Sequence, residues 1–322
     1  MDIMSSRRNR KSDEKRDRRS LVLGSHRIEL SNPDKIFFPD SKITKGDVVD
    51  YYRRVAKHML PYLQDRPLAV QRFPDGIGGE GFYQKNRPDH FPDWIEPVEV
   101  ETEEGRHRHV ACQDAATLVY LANQACIAFH GWLSRKDALR RPDQLIFDLD
   151  PAGGGFDSVR FAARVVRRLL DELKCRSFCK TTGSRGLHVV VPLRRDTDFD
   201  DVRGLAREIA EVVAGREPRR LTTKTRKDAR RGRLFLDYLR NSYAQHAVVP
   251  YSLRALPGAP VATPLDWSEL DDASLDAQSW RLGNIFRRLR RRDDPWKGWR
   301  RHAVSPGALR RRLQALNRGR TD

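Results

Sequence analysis

Residues 145–151 read LIFDLDP, an apolar run that ends in two aspartates, and this stretch organises the rest of the chain. Successive side chains of an extended strand alternate between its faces, so Asp148 and Asp150 point to one side while Phe147 and Leu149 point to the other. Paired carboxylates supply the hard oxygen ligands that divalent cations prefer. The stretch therefore predicts a strand that ends in a metal site, although Asp-x-Asp also occurs at ordinary surface strand ends.

Two further segments carry groups that suit phosphate chemistry. A second apolar strand is predicted at residues 234–236, and it also ends in an acid, Asp237. Between the strands, residues 181–188 read TTGSRGLH, a glycine turn with hydroxyl, guanidinium and imidazole groups. Together they indicate nucleotidyl transfer from an NTP or dNTP, with two Mn²⁺ or Mg²⁺ ions as cofactors. Asp148, Asp150 and Asp237 are the predicted catalytic residues and metal ligands.

The glycine turn is predicted to hold the phosphates of a nucleotide. Its glycines can expose consecutive backbone N–H groups to an anion, and Ser184, Arg185 and His188 add donors. Arg240 and Arg254 can complete a clamp through bidentate guanidinium contacts. Each group also has an ordinary alternative role, because hairpin turns need glycines and surface arginines commonly form ion pairs.

Three aromatic residues are candidates for contact with a nucleotide or a template. Phe82 and Tyr83 end a glycine-rich stretch that is predicted to be a loop, where an exposed ring can stack on a base. Packing beneath that loop is the alternative for both. His130 follows a strand predicted over residues 125–129, where it can contact a nucleotide or serve as a buried structural histidine.

The charge of the chain predicts a polyanionic partner. Its 322 residues carry a net charge of +18, and arginines are spread along the whole sequence. Neutralising phosphates with such side chains releases counterions and drives sequence-independent binding to nucleic acid. No apolar run approaches the ~18 residues of a membrane span, and the start lacks the core of a signal peptide. We therefore expect a cytoplasmic, nucleoid-associated protein.

The four cysteines form neither a Cys-x-x-Cys pair nor a dense disulfide framework, which is typical of reduced cytosolic thiols. A zinc site can be assembled on paper from His107, His109, Cys112 and a distant cysteine. Its spacing matches no standard ligand pattern, so the aspartates remain the favoured metal ligands.

The order of the predicted elements favours an α+β fold. Residues 1–20 are basic and almost free of apolar side chains, which predicts a disordered arm; residues 21–300 form the globular domain, and residues 301–322 a basic tail. Hairpins are interspersed with helices rather than arranged as repeated βαβ units. This mixture predicts a mixed or antiparallel sheet flanked by helices. Helices are predicted over residues 45–63 with Thr44 as N-cap, 114–122, 157–173 and 202–213.

Seven stretches of the sequence identify a family resemblance. In them the chain resembles the polymerase domain of bacterial ligase D, within the archaeo-eukaryotic primase superfamily, which serves non-homologous end joining. The stretches follow the order of the family over about residues 21–300. They are residues 30–35 (LSNPDK), 44–47 (TKGD), 81–85 (GFYQK), 147–151 (FDLDP), 183–188 (GSRGLH), 236–238 (LDY) and 247–254 (AVVPYSLR).

The resemblance implies a fold with the primase-superfamily catalytic core and a role for each site residue. The three acids correspond to the metal ligands of the family, and Phe82 to the residue that stacks near the template base. A pocket for a 5′-phosphate on the downstream DNA strand is implied for Asn32, Lys35, Lys45 and Arg72. The family favours Mn²⁺ and often inserts ribonucleotides, and the same preferences are implied here. The nucleotide-binding set implied by the resemblance is Ser184, His188, Arg240 and Arg254.

The sequence departs from the family in three ways. The turn carries Arg185 where many relatives carry lysine, which preserves a phosphate-binding charge. Gln71 stands beside Arg72 where some relatives have a further basic residue. No Lys-x-Asp-Gly motif of a DNA ligase is present in the sequence. We therefore expect a separate DNA ligase and the end-binding protein Ku as partners.

The predicted function is addition of one or a few nucleotides to 3′ ends at gaps and double-strand breaks, by in-line attack on the α-phosphate. A primase-polymerase of replication restart or plasmid maintenance is one alternative, which de novo synthesis would favour. A non-catalytic module that bridges DNA ends is another. The three intact acids speak against that second alternative.

Overall fold

The computed structural model describes residues 20–103, 105–152 and 155–319. These residues form an α+β fold with mixed and antiparallel sheets, which confirms the predicted fold class. The basic arm predicted over residues 1–20 lies outside the described residues, except for Ser20, which begins the first strand. No helix in this described part is long and apolar enough to cross a membrane.

Sixteen strands and seven α-helices make up the described part of the chain. The strands are β1 (Ser20–Leu23), β2 (His26–Glu29), β3 (Ile36–Phe38), β4 (Ile43–Thr44), β5 (Leu68–Arg72), β6 (Phe82–Gln84), β7 (Val98–Thr102), β8 (Gly105–His109), β9 (Cys126–Trp132), β10 (Gln144–Leu149), β11 (Phe178–Thr181), β12 (Leu187–Pro192), β13 (Leu221–Thr222), β14 (Leu234–Asp237), β15 (His246–Val248) and β16 (Pro264–Leu265). The helices are α1 (Lys45–Leu63), α2 (Ala115–Asn123), α3 (Gly155–Glu172), α4 (Phe199–Arg216), α5 (Lys227–Arg230), α6 (Ile285–Arg291) and α7 (Pro306–Arg318), with 3₁₀ turns at Leu239–Asn241, Trp267–Asp271 and Trp299–His302.

The central sheet has six strands in the order β13-β14-β10-β12-β11-β16, all antiparallel to their neighbours except the parallel pair β13 and β14. Alternation along β10 directs Leu145, Phe147 and Leu149 into a buried core. Helices α3 and α4 contribute apolar side chains such as Val166 and Ile209 to the same core. The opposite face of β10 carries Ile146, which is buried in the other core, and the polar side chains of Gln144 and Asp148.

A second sheet, in the order β15-β9-β5-β6, shares a core with helix α1. The helix begins with a capping box at Thr44, which confirms the predicted N-cap. Two buried tyrosines then extend from the helix: the Tyr51 hydroxyl donates to the carbonyl of Tyr251, and the Tyr52 hydroxyl donates to the carbonyl of Ile127 on β9. These bonds fix the second sheet and the segment after β15 to one helix.

Two local predictions are wrong. Phe82 and Tyr83 lie on the short strand β6, paired with β5, rather than on a loop. Pairing with β5 satisfies the backbone N–H and C=O groups of these residues. The glycine-rich stretch that precedes Phe82 does not prevent this pairing. His130 does not follow a strand but lies inside β9, which continues to Trp132.

The C-terminal part of the described chain packs on the domain. Helix α7 buries Leu309 and Leu313 in the core of the central sheet, although it belongs to the stretch predicted as a basic tail. The indole N–H of Trp296 donates to the carbonyl of Cys179 on β11 at 2.9 Å. This segment therefore supports the sheet next to the polar face of β11 and β12.

Candidate active site

A row of polar residues crosses the central sheet. Asp148 on β10 lies directly opposite Asp237 on β14 and directly opposite His188 on β12. His188 in turn lies opposite Lys180 on β11. Residues directly opposite one another in a sheet share a face, so the four side chains line one face, and Asp150 follows two residues beyond Asp148. The register brings the three predicted acids together at one end of the neighbouring strands β10 and β14.

Asp148 is held by two neighbours. Its Oδ1 lies 3.3 Å from Nε2 of His188, and its Oδ2 accepts a hydrogen bond of 3.0 Å from Arg240. Burial opposes the charge of the carboxylate, but His188 and Arg240 outweigh burial and hold the pKa of Asp148 well below its usual range. Burial lowers the pKa of His188 to about 4, so its imidazole is neutral and donates from Nε2.

The other two acids have the opposite shift. Burial, followed by the negative charge of Asp148, raises the pKa of both Asp150 and Asp237. Asp150 forms an ion pair of 3.0 Å with Arg185, and Asp237 accepts the backbone N–H of Leu239 at 2.8 Å. The raised pKa values therefore reflect burial first and the neighbouring charge of Asp148 second.

The donor set fits divalent metal ions after a rearrangement of its arginines. Within residues 20–103, 105–152 and 155–319, no three His, Cys, Asp or Glu side chains are already grouped so that they could hold a metal ion. This finding covers both the aspartates and the zinc alternative built on His107, His109 and Cys112. Arg240 contacts Oδ2 of Asp148 and Arg185 contacts Oδ2 of Asp150, so these arginines compete with a cation for those two oxygens. Clustered hard oxygen ligands with excess negative charge are what Mn²⁺ and Mg²⁺ require.

A polar cavity of about 260 Å³ opens beside these acids. Asp148 and Asp150 line one side of it. Six residues predicted to bind a nucleotide line the same cavity, so the fold brings together two strands, β9 and β12, and three connecting segments. They are His130, Ser184, Arg185, His188, Arg240 and Arg254.

The glycine turn differs in detail from the predicted anion nest. The backbone N–H groups of Ser184 and Gly186 are occupied by the hydroxyl of Thr182, at 3.3 and 3.1 Å. Arg254 donates to the carbonyl of Thr182 at 3.1 Å, which places the guanidinium against the turn. Side chains therefore supply most of the donors that face the cavity, and the turn serves to position them.

The far side of the cavity is aromatic and uncharged. Tyr83 lies 5.6 Å from the ring of His130 and 6.2 Å from the ring of His246. Burial lowers the pKa of His130 well below its usual range and that of His246 to about 4, so both imidazoles are neutral. Phe82, which points away on the alternate face of β6, does not line the cavity and lies near the guanidinium of Arg72.

A second cavity of about 410 Å³ lies on the other side of the acids. Asp237 lines this cavity together with Asp148 and Asp150. Asp148 and Asp150 therefore line both cavities, whereas Asp237 lines only the second. The basic side chains of this second cavity are Arg185, Lys227, Arg230, Arg233 and Arg240.

The predicted 5′-phosphate residues lie at the start of α1. The Lys45 amine donates to the carbonyl and the hydroxyl of Ser31, and Lys35 pairs with Asp75 at 2.6 Å. Lys35 and Arg72 are close enough to Lys45 to shift its pKa electrostatically. Asn32 has a positive φ of 47°, and its carbonyl accepts the backbone N–H of Lys35.

Sequence reasoning missed three residues of this region. Lys180 is buried opposite His188. The predicted tight turn between the two strands implies this pairing, because it fixes which residues lie opposite one another. Thr182 is part of the predicted turn, but no sequence signal indicates that its hydroxyl accepts two backbone N–H groups. His246 had no local signal, because it reaches the cavity only through the pairing of β15 with β9.

Acids at paired strand ends between two basic cavities define a site for phosphoryl chemistry. Residues 44–296 match the family described as the primase-polymerase domain of LigD. The polymerase domain of Mycobacterium tuberculosis ligase D, solved in complex with DNA, is 30% identical, with a TM-score of 0.80, over 86% of this chain and 99% of that one. The chain therefore belongs to the family of LigD primase-polymerase domains, which are nucleotidyltransferases of the archaeo-eukaryotic primase superfamily.

Longer LigD proteins are also similar to this chain. The multifunctional non-homologous end joining protein LigD of Pseudomonas aeruginosa is 34% identical over 89% of this chain. The bifunctional non-homologous end joining protein LigD of Bacillus subtilis is 32% identical over 84% of this chain. The chain spans 34% and 44% of the lengths of these two proteins. Family membership confirms the resemblance found in the sequence and the predicted enzyme class.

Proposed function

We propose that this chain adds one or a few nucleotides to the 3′-hydroxyl of DNA at gaps and double-strand breaks during non-homologous end joining. One observation carries the proposal: Asp148, which is directly opposed to Asp237, lines one cavity together with Arg240 and Arg254. A metal-bound nucleoside triphosphate suits this arrangement. Its metal ions would bind the carboxylates, and its phosphates would bind the neighbouring guanidinium groups.

Each acid has a place in this proposal. Asp148, Asp150 and Asp237 would hold two divalent ions, Mn²⁺ or Mg²⁺. When bound, the ions supply Lewis acidity for the attacking hydroxyl and the departing pyrophosphate. His188 donates to Asp148 and so keeps that carboxylate oriented toward the cavity.

The cavity suggests how a nucleotide is oriented. Arg185 and Arg254 bracket the turn at the polar side, where the triphosphate would bind. Tyr83, His130 and His246 form the uncharged side, where the sugar or base would contact neutral rings. Release of Arg240 from Asp148 on metal binding would free its guanidinium for a phosphate oxygen.

The DNA contacts follow from charge and from the second sheet. A net charge of +18 favours binding to the phosphate backbone, and Phe82 is 46% exposed, available to stack near a template base. Lys35, Lys45 and Arg72, with Asn32, would bind the 5′-phosphate of the downstream strand. The proposal also includes a preference for Mn²⁺ and for ribonucleotides and a location in the nucleoid. Its proposed protein partners are Ku and a separate DNA ligase.

Extension of a labelled primer across a short gap tests the proposal. The assay compares Mn²⁺ with Mg²⁺, ribo- with deoxyribonucleotides, and native protein with Asp148→Asn. The matched control is Asp200→Asn, because Asp200 lies on α4 with its side chain 86% exposed. We expect addition by the native protein and the control and none by Asp148→Asn. DNA binding without addition by the native protein would instead indicate an end-bridging module, and synthesis without a primer would indicate a primase-polymerase of replication restart.

A further inference from the structure

The side chain of Asn241 extends the central sheet beyond the end of β14. The ladder between β10 and β14 ends at the pair Asp148 and Asp237, because the chain then leaves the sheet in the 3₁₀ turn Leu239–Asn241. Alternate residues of a strand direct their backbone groups to the same neighbour, so Ile146 is the next position of this ladder. Oδ1 of Asn241 accepts the N–H of Ile146 at 2.8 Å, and Nδ2 donates to the carbonyl of Ile146 at 2.8 Å. The carboxamide therefore bonds to β10 as a strand residue would.

The same carboxamide also closes the turn to which it belongs. Nδ2 of Asn241 donates to the carbonyl of Tyr238 at 2.8 Å, and the backbone N–H of Asn241 donates to that carbonyl at 3.2 Å. Asn241 is only 1% exposed, so these bonds form away from water. Both N–H groups and the oxygen of the carboxamide are bonded. A buried polar group that is satisfied in this way is a rigid link between the segments it joins.

This link joins the two parts of the acid cluster. One anchor, Ile146, lies two residues before Asp148 on β10. The other anchor is the turn that follows Asp237 and carries Arg240, whose guanidinium contacts Asp148 at 3.0 Å. A single side chain therefore fixes Asp237 and Arg240 relative to the strand of Asp148.

The acids make such a link useful because they repel one another. Like charges at directly opposite positions destabilise a sheet, and Asp148 and Asp237 are such a pair. On the side where β14 ends, the hydrogen bonds of Asn241 continue the ladder and oppose separation of the two carboxylates. Groups that orient metal ligands from outside typically change metal affinity or activity 10–100-fold when they are removed.

We propose that Asn241 is a positioning residue for nucleotide addition. It holds Asp148 and Asp237 at the separation at which they bind divalent ions, and it acts through these acids rather than on the ions or the nucleotide. This role rests on the proposed function, because that function assigns the ions to the acids. Loss of the carboxamide should therefore weaken metal binding more than it weakens the fold.

A Mn²⁺ titration of the nucleotide-free protein, followed by the electron paramagnetic resonance signal of the free ion, tests this role. In Asn241→Ser the hydroxyl is too short to reach Ile146. We expect the Kd for Mn²⁺ to rise about 10–100-fold in this variant. In primer extension, the Mn²⁺ concentration for the half-maximal rate should rise with the Kd, and excess Mn²⁺ should restore part of the rate.

The chain offers a matched control in Asn123, at the end of α2. Asn123 is 5% exposed; its Oδ1 accepts the N–H of Ser31 at 3.1 Å, and its Nδ2 donates to the carbonyl of Glu29 at 2.8 Å. It is thus a buried, bridging carboxamide that joins segments other than those of the acids. Asn123→Ser should lower the unfolding temperature much as Asn241→Ser does, but it should keep the native Kd for Mn²⁺.

The outcomes separate a positioning role from a merely structural one. A native Kd in folded Asn241→Ser, or an equal rise in Asn123→Ser, overturns the proposal. Asn241→Ala is measured if Asn241→Ser does not fold, and failure of both to fold while Asn123→Ser folds shows a structural role only. Primer extension by the native protein is run in parallel. A native protein that binds Mn²⁺ but extends no primer contradicts the proposed polymerase, whereas the comparison of Kd values still decides the role of Asn241; a native protein that binds no Mn²⁺ overturns that role.

Discussion

Asp148 and Asp237 lie directly opposite one another on β10 and β14, with no positive side chain between them in the strand register. Like charges at such positions destabilise a sheet, and the raised pKa of Asp237, caused by burial and then by Asp148, reports the same repulsion. Arg240 compensates Asp148 from outside the sheet. The folded protein therefore keeps an unfavourable repulsion between two carboxylates at the place where a bound cation would relieve it.

Replacing Asp237 should stabilise the metal-free protein while abolishing nucleotide addition. Asp237→Asn removes one member of the opposed pair and should increase the free energy of unfolding at pH 7 by about 0.2–1 kcal/mol. Urea denaturation in the presence of a chelator measures the change. The exposed control Asp200→Asn should show no gain. A destabilised Asp237→Asn protein would contradict the account of the repulsion.

The stability gain should depend on pH. Because the pKa of Asp237 is raised in the folded protein, folding favours its protonated form, and its destabilising effect disappears as the pH falls through that pKa. Asp148 behaves in the opposite way: its pKa is lowered, so its contribution is present at neutral pH and is lost in acid. The difference in unfolding free energy between native protein and Asp237→Asn should therefore shrink from pH 7 toward pH 4. A constant difference across that range would exclude titration of Asp237 as its cause.

Two glycines provide a matched test of how closely the turn packs on the acid strand. A Cβ at Gly186 would lie 2.0 Å from the carbonyl oxygen of Leu149 and 2.7 Å from Oδ1 of Asp150. Gly186→Ala should therefore lose nucleotide addition and at least about 2 kcal/mol of stability. Gly215, inside α4, has no atom within 4 Å of such a Cβ, so Gly215→Ala should gain about 0.5–1 kcal/mol. Thermal unfolding and primer extension of both variants check the contrast; equal effects would contradict it.

Local pattern was enough to predict the elements that carry the chemistry, because alternation and capping are properties of neighbouring residues. The strand at Asp148, the helix capped by Thr44 and the turn before His188 are all confirmed. What alternation could not predict is pairing between distant segments. It therefore missed β6, which contains Phe82, and the route by which His246 reaches the cavity.

The same limit applies to the charges of the site. The sequence shows arginines near acids, but not that Arg240 contacts Asp148 rather than an open phosphate position. Burial also has no local signal at Lys45, which reads as an ordinary residue of the first helical turn. Its environment depends on the fold of the turn at Ser31, which is 14 residues away.

A buried ion pair should be among the costliest contacts to break outside the site. Arg66 donates to Asp143 at 2.6 Å, with side-chain exposures of 2% and 10%, and also to the carbonyl of Trp132. Asp143→Ala leaves a buried guanidinium without its carboxylate and should cost about 3–5 kcal/mol. Asp137→Ala is the control, because its ion pair with Arg195 is exposed. Denaturation midpoints measure both, and a similar loss in the two variants would argue against burial as the cause.

The 5′-phosphate pocket should control the choice of DNA substrate rather than the chemistry of addition. Native protein is expected to extend a primer faster on a gap with a downstream 5′-phosphate than on one with a 5′-hydroxyl, because Lys45 gains an anionic partner there. In Lys45→Met the ratio of the two rates should fall toward one. Lys57→Met, which removes an exposed charge from the same helix, should keep the native ratio at equal ionic strength. A reduced ratio in both variants would show that general positive charge, rather than the pocket, selects the phosphate.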